Sequence, residues 1–189
     1  MLNKTAPMKT RDLVMVSLLT ALIVVLALVP PIPVPLVPVP VTLQTLGVML
    51  AGLVLGPGRA GLAVLLYVAM AMVGLPVLPG GRAGLSVLMG PTGGFLLGMI
   101  PGAMLTGWLS RRIRFGREAP GWQITLNFLA CLLGGVALVY VFGIPWLASV
   151  TGMGMTKAAL AVLVFVPGDM VKALIAATVA YQVARHIEA

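Results

Sequence analysis

Acid is scarce in this 189-residue chain: four Asp and Glu stand against twelve Lys and Arg. Histidine occurs once, as His186 near the C-terminus, and cysteine once, as Cys131 inside an apolar run. A single cysteine excludes an intramolecular disulfide, and no set of His, Cys, Asp and Glu has metal-ligand spacing. Cys131 therefore reads as a buried structural thiol. His186 and Asp169 stand at opposite ends of one apolar run, so no Ser-His-Asp set can be assembled. No Gly-Lys pair occurs, and with it goes the phosphate-binding loop of a nucleotide-driven motor. These gaps leave no catalytic residues to nominate and no metal or cofactor to hold. The chain reads as a binder, not an enzyme.

Charge of either sign is scarce: 8% of residues are charged, 60% are hydrophobic, and the mean hydropathy is +1.13. Soluble domains are about 25% charged, so the composition predicts an all-α integral membrane protein surrounded by lipid. A transmembrane barrel would show alternating polarity, and the long Leu, Ala, Met and Gly runs show none. At about 20 residues per span, the length allows about six spans and no second soluble domain. One membrane domain over residues 1–189 is expected, with spans near 13–29, 42–55, 60–73, 95–109, 124–142 and 169–184. The first run resembles a signal peptide in having basic residues before it, but no small-residue cleavage site follows, so it reads as a retained span. Pro101 predicts a kink in the fourth span. Residues 156–166 are too short to cross and read as a re-entrant or surface helix.

The positive charges, +8 net, flank span ends instead of forming a nucleic-acid patch. Lys4, Lys9, Arg11, Arg59, Arg111, Arg112, Arg114, Arg117 and Arg185 fall on one side; Arg82 and Lys157 fall on the other. Cytoplasmic loops collect the basic residues, so both termini are expected in the cytoplasm. Three unusual segments then face outside together. They are the stretch 30–40, which holds six of the 15 prolines, the glycine-rich stretch 74–94, and the start of the last span. Proline at that density favours extended, polyproline-like backbone. Being apolar, the segment should pack onto the protein, either as a stiff connector or as a lid.

Pro167-Gly168-Asp169-Met170-Val171-Lys172 carries the only acid inside an apolar span, three residues before a lysine. A carboxylate beside hydrocarbon is costly unless it is paired or faces a polar cavity, and i, i+3 neighbours share a helix face. Two readings of Asp169 compete: an N-terminal cap that complements the helix dipole, or a ligand group. Lys172 in the first turn opposes that dipole, which a cap alone does not need. Arg82, alone among glycines, reads as a fork for a carboxylate or as a solvated loop arginine. Gln44 and Thr45 can hydrogen-bond a ligand or a neighbouring helix. Tyr67 can pack on an apolar ligand body or fill the core. Ser17-x-x-x-Ala21 permits close approach of another helix.

Four segments in order now resemble one family. They are Val39-Pro40-Val41-Thr42-Leu43-Gln44-Thr45-Leu46-Gly47, Gly74-Leu75-Pro76-Val77, Gly90-Pro91-Thr92-Gly93-Gly94, and Pro167-Gly168-Asp169 with Lys172. The set is similar to the BioY family, the biotin-binding S components of energy-coupling factor transporters, over about residues 10 to 185. The resemblance implies a six-helix protein of the prokaryotic plasma (inner) membrane that captures biotin at its outer face. It implies a transmembrane T component and a pair of ABC-type ATPases as partners, which fits the missing ATP motif. By position, Asp169 and Lys172 would hold the ureido ring of biotin. The region around Gly80, Gly81 and Arg82, with Gly90 to Thr92, would receive the valerate chain or its carboxylate. Small residues on the first span of S components dock the T component, a role that would fall here to Ser17 and Ala21. The alternative is a stand-alone secondary transporter of a small vitamin-like carboxylate. Such proteins carry a titratable group near the bilayer midplane and internal repeats. Here the one candidate acid lies near an end, and no repeat is evident. A ligand-free structural protein would leave Asp169, Lys172 and Arg82 without a shared purpose.

Overall fold

The computed structural model describes residues 8–35, 37–113 and 120–188. Lys4, Arg114 and Arg117, three of the charges used to orient the chain, lie outside the described residues. Helix α1 is Thr10–Leu28, followed by strands β1 (Ile32–Val34) and β2 (Val37–Val41). Then come α2 (Gln44–Leu55), α3 (Pro57–Met72), the short α4 (Leu85–Met89) and α5 (Gly93–Ile113). The second half holds α6 (Pro120–Ala130), α7 (Val139–Thr151), α8 (Met155–Val162) and α9 (Val166–Glu188). Four helical stretches are long and apolar enough to cross a membrane: Thr10–Leu28, Gly93–Arg112, Gly121–Thr151 and Met155–His186. Two shorter apolar helices, Gln44–Leu55 and Pro57–Met72, accompany them. The helices are apolar on more than one side because they meet neighbours on one face and hydrocarbon on the other. Helix α1 shows the division: Val16, Leu19, Ile23 and Ala27 point inward, while Leu13, Val14, Leu18 and Val25 are exposed.

Helix α5 is the spine and packs against α2, α3, α6 and α7. Small residues let the backbones close in, as is usual where no water drives helices together. A Cβ on Gly102 of α5 would sit 2.8 Å from the carbonyl oxygen of Gly134, and one on Gly52 of α2 would sit 2.8 Å from Thr106 Cβ. Such contacts leave no space for a methyl group.

The proline-rich stretch is extended, as expected, but as a β-hairpin in place of polyproline backbone. Ile32 pairs with Val41 and Val34 with Val37, and Pro33, Pro38 and Pro40 fall between the paired positions. Proline lacks a donor for the ladder, so a two-stranded ribbon accepts it only at such places. The helix expected to stop at residue 142 runs on to Thr151. Gly143 and Pro145, both poor helix formers, lie inside it. Gly143 is where the Phe95 ring packs, since a Cβ there would overlap it. Between α6 and α7, Cys131–Leu138 is wound as a π-helix, a wider turn that changes which way the residues after it point. Residues 156–166 likewise lead into the last helix through a 3₁₀ turn, Leu163–Phe165, instead of ending at Pro167. Pro167 is the second residue of α9, where its missing N–H costs nothing.

At one end of the bundle, Arg111 Nη2 donates to Leu55 O at 2.8 Å, and Arg59 pairs with Asp12 at 3.0 Å. At the other end the hairpin, α4 and the N-terminus of α9 come together around a pocket.

Candidate ligand-binding site

The pocket has about 660 Å³ of empty space, part of it open to solvent. The hairpin and the start of α2 supply Val39, Pro40, Val41, Thr42, Gln44 and Thr45. Leu78, Pro79 and Arg82 come from the loop before α4, and Val87 comes from α4. Helix α5 contributes Thr92, just before its start, then Phe95, Leu96 and Met99. Helices α7 and α9 close the wall with Val139, Tyr140, Asp169 and Lys172, together with Phe165 just before α9. The wall is apolar with a few polar groups gathered on it, as small-molecule sites generally are.

Asp169 and Lys172 are 4% and 7% exposed. One turn of α9 brings them onto the same face, and Lys172 Nζ donates to Asp169 Oδ1 at 2.8 Å. Thr45 completes a triangle: its hydroxyl accepts from Lys172 Nζ at 3.2 Å and donates to Asp169 Oδ1 at 3.3 Å. Tyr140 donates to the other oxygen, Oδ2, at 2.6 Å. Among the described residues, the hydrogen-bond partners of the Asp169 side chain are side chains, not the amides of its own helix. The cap reading of this residue therefore does not account for it. Burying an ion pair is tolerable only when such extra hydrogen bonds satisfy the remaining valences.

The other residues named from the sequence divide. Gln44 and Thr92 are in the wall; Gln44 Nε2 meets Met99 Sδ at 3.3 Å, and Thr92 donates to Val87 O at 3.4 Å. Arg82 stands exposed at the rim, with Nε donating to Pro79 O at 3.0 Å. Gly81 is not in the wall. It is exposed at the apex of a tight turn in which Leu78 pairs with Arg82, and its N–H is taken by Leu78 O at 2.9 Å. Gly80 and Gly81 have φ of 75° and 68°, left-handed values that glycine adopts without strain. Tyr67 also misses the pocket: it is fully buried on α3, and its hydroxyl donates to Val77 O at 3.3 Å. Ser17 and Ala21 lie on the exposed face of α1, away from the pocket wall.

Tyr140 is the polar group that sequence reasoning missed. It lies 29 residues before Asp169 on another helix, inside a run of apolar residues. The one available signal was a phenolic hydroxyl in hydrocarbon, which needs a partner somewhere.

Comparison with known proteins bears on the same region. The model of the BioY family matches residues 1–189. "Biotin transporter BioY" of Rhizobium etli is 48% identical over 170 residues, covering 90% of this chain and 91% of that protein. The protein of the same name from Thermotoga maritima is 35% identical over 170 residues, 90% of this chain and 94% of its own. Among solved structures, the S-component for biotin from an ECF-type ABC transporter superimposes with a TM-score of 0.87 at 30% identity, covering 95% of both chains.

Proposed function

The chain belongs to the BioY family, and from that premise we propose that it captures biotin in the pocket under the β1–β2 hairpin, as the substrate-specific subunit of an energy-coupling factor transporter. The observation that carries the reading is the buried Asp169–Lys172 pair opening on an apolar wall. A cyclic urea offers N–H donors beside a carbonyl acceptor. The carboxylate of Asp169 can accept from one of these N–H groups while the ammonium of Lys172 donates to the carbonyl. Phe95, Leu96 and Val139 suit the apolar body of the ligand, and Arg82 at the rim suits its carboxylate. Thr42, Gln44 and Thr92 are further polar residues of the wall that suit the chain joining the two ends.

The same reading takes the four long and two shorter apolar helices as six crossings of a prokaryotic plasma membrane, both termini cytoplasmic and the pocket external. The basic residues support this orientation, since Arg59 and Arg111 sit at the end opposite the pocket. Coupling to energy falls to a transmembrane T component and ABC-type ATPases, docking on the α1 face that carries Ser17 and Ala21. Saturating biotin should raise the melting temperature of the detergent-solubilised chain in a vitamin panel, because a ligand that binds only the folded state adds RT ln(1 + [L]/Kd). A melt unmoved by biotin, or moved equally by unrelated vitamins, would reject the assignment.

A further inference from the structure

Asp169 is held from three helices: by Thr45 of α2, Tyr140 of α7 and Lys172 of α9. An ionised carboxylate can only accept, at about four lone-pair positions on its two oxygens. Lys172 and Thr45 both fall on Oδ1, and they also bond to each other at 3.2 Å. Bonds on Oδ1 alone restrain the broad Cβ–Cγ torsion only loosely, so the carboxylate plane can still turn within their slack. Tyr140, at 2.6 Å, is the partner of Oδ2 among the described residues and so stops the turn. Its distance is that of a short, charge-assisted O–H···O⁻ bond.

Tyr140 is itself held. Phe95 meets its ring edge-on, with centroids 6.3 Å apart and planes at 82°. The π-helix ending at Leu138, two residues earlier, sets the direction in which α7 presents it.

We infer that Tyr140 is a positioning residue: it fixes the plane of the Asp169 carboxylate through Oδ2, so that the last acceptor position there and the third N–H of Lys172 face the ligand together. The inference rests on the biotin reading for the ligand alone; the contact between Tyr140 and Asp169 exists without it. Tyr140→Phe removes the hydroxyl and keeps the ring against Phe95.

The test is a double-mutant cycle on the full chain in detergent: wild type, Y140F, D169N and both together, by biotin titration and by ligand-free melting. A hydrogen bond to a charged group corresponds to a loss of about tenfold or more in biotin affinity for Y140F. The same loss is expected for biotinamide, since the far end of the ligand is untouched. In ligand-free melts the shifts from Y140F and D169N should not add, as residues acting through one bond do not. Additive melting shifts overturn the inference, and so does a Y140F protein that binds biotin as tightly as wild type while D169N has lost it. A wild-type chain that ignores biotin overturns the ligand assignment instead, and the ligand-free cycle then decides on Tyr140 alone.

Discussion

Two ion pairs of nearly equal length stand at opposite ends of the bundle, and they do different things. Arg59 and Asp12 meet at 3.0 Å with side chains 45% and 15% exposed, while Lys172 and Asp169 meet at 2.8 Å with 9% and 6%. The first pair ties the start of α1 to the first turn of α3, where water screens it. The second sits in an apolar wall with two hydroxyls on the carboxylate. Distance alone does not rank them; desolvation does. An exposed pair contributes about 0–1 kcal/mol, whereas stripping one partner from a buried pair costs about 3–5 kcal/mol.

That contrast can be pressed with three sets of variants. The largest effect is expected for Asp169→Asn and Lys172→Ala, which should weaken biotin binding by about a hundredfold or more in titration calorimetry. Lys172→Ala should also lower the ligand-free melting temperature, because it leaves a buried carboxylate without its counter-charge. If either variant binds like wild type, the pair is structural and the two ends are alike after all. Arg82→Ala comes next, with about a tenfold loss for biotin, since one exposed guanidinium at the rim is a weaker partner than a buried pair. The same variant should erase any preference for biotin over biotinamide; a preserved preference would place the carboxylate elsewhere. Arg59→Ala is the smallest: biotin affinity within about twofold of wild type, and a stability change of less than about 1 kcal/mol that shrinks further in high salt. A large loss of binding from Arg59→Ala would mean that the two ends are mechanically coupled.

The candidate site was legible in the sequence where local rules govern it. Asp169 and Lys172 share a face because the helix repeats every 3.6 residues, and their polarity stood out against the apolar background. Residues 30–40 had to be extended because proline forbids a helix there. Gly81 and Tyr67 stand outside the pocket wall for a common reason: each has a structural duty invisible in linear order. Gly81 spends its N–H on a turn, and Tyr67 spends its hydroxyl on Val77 under the loop. The fifth span was expected to end at residue 142, but the helix runs on through Gly143 and Pro145, with Phe95 packed on Gly143. Tyr140 had no local rule pointing to it at all.

The sequence by itself determined the solvent, the helical character of the apolar runs and the basic asymmetry of the chain, because these follow from composition and from interactions within a few residues. It also determined that one acid and one lysine would stand side by side. Only the tertiary structure decided which hydroxyls reach that acid: Thr45 comes from 124 residues away and Tyr140 from 29. Those partners depend on how α2 and α7 sit against the α5 spine and how α9 packs on α2. Close approach at Gly52 fits α2 to α5, and at Gly102 fits α5 to the segment leading into α7, contacts between residues far apart in the chain.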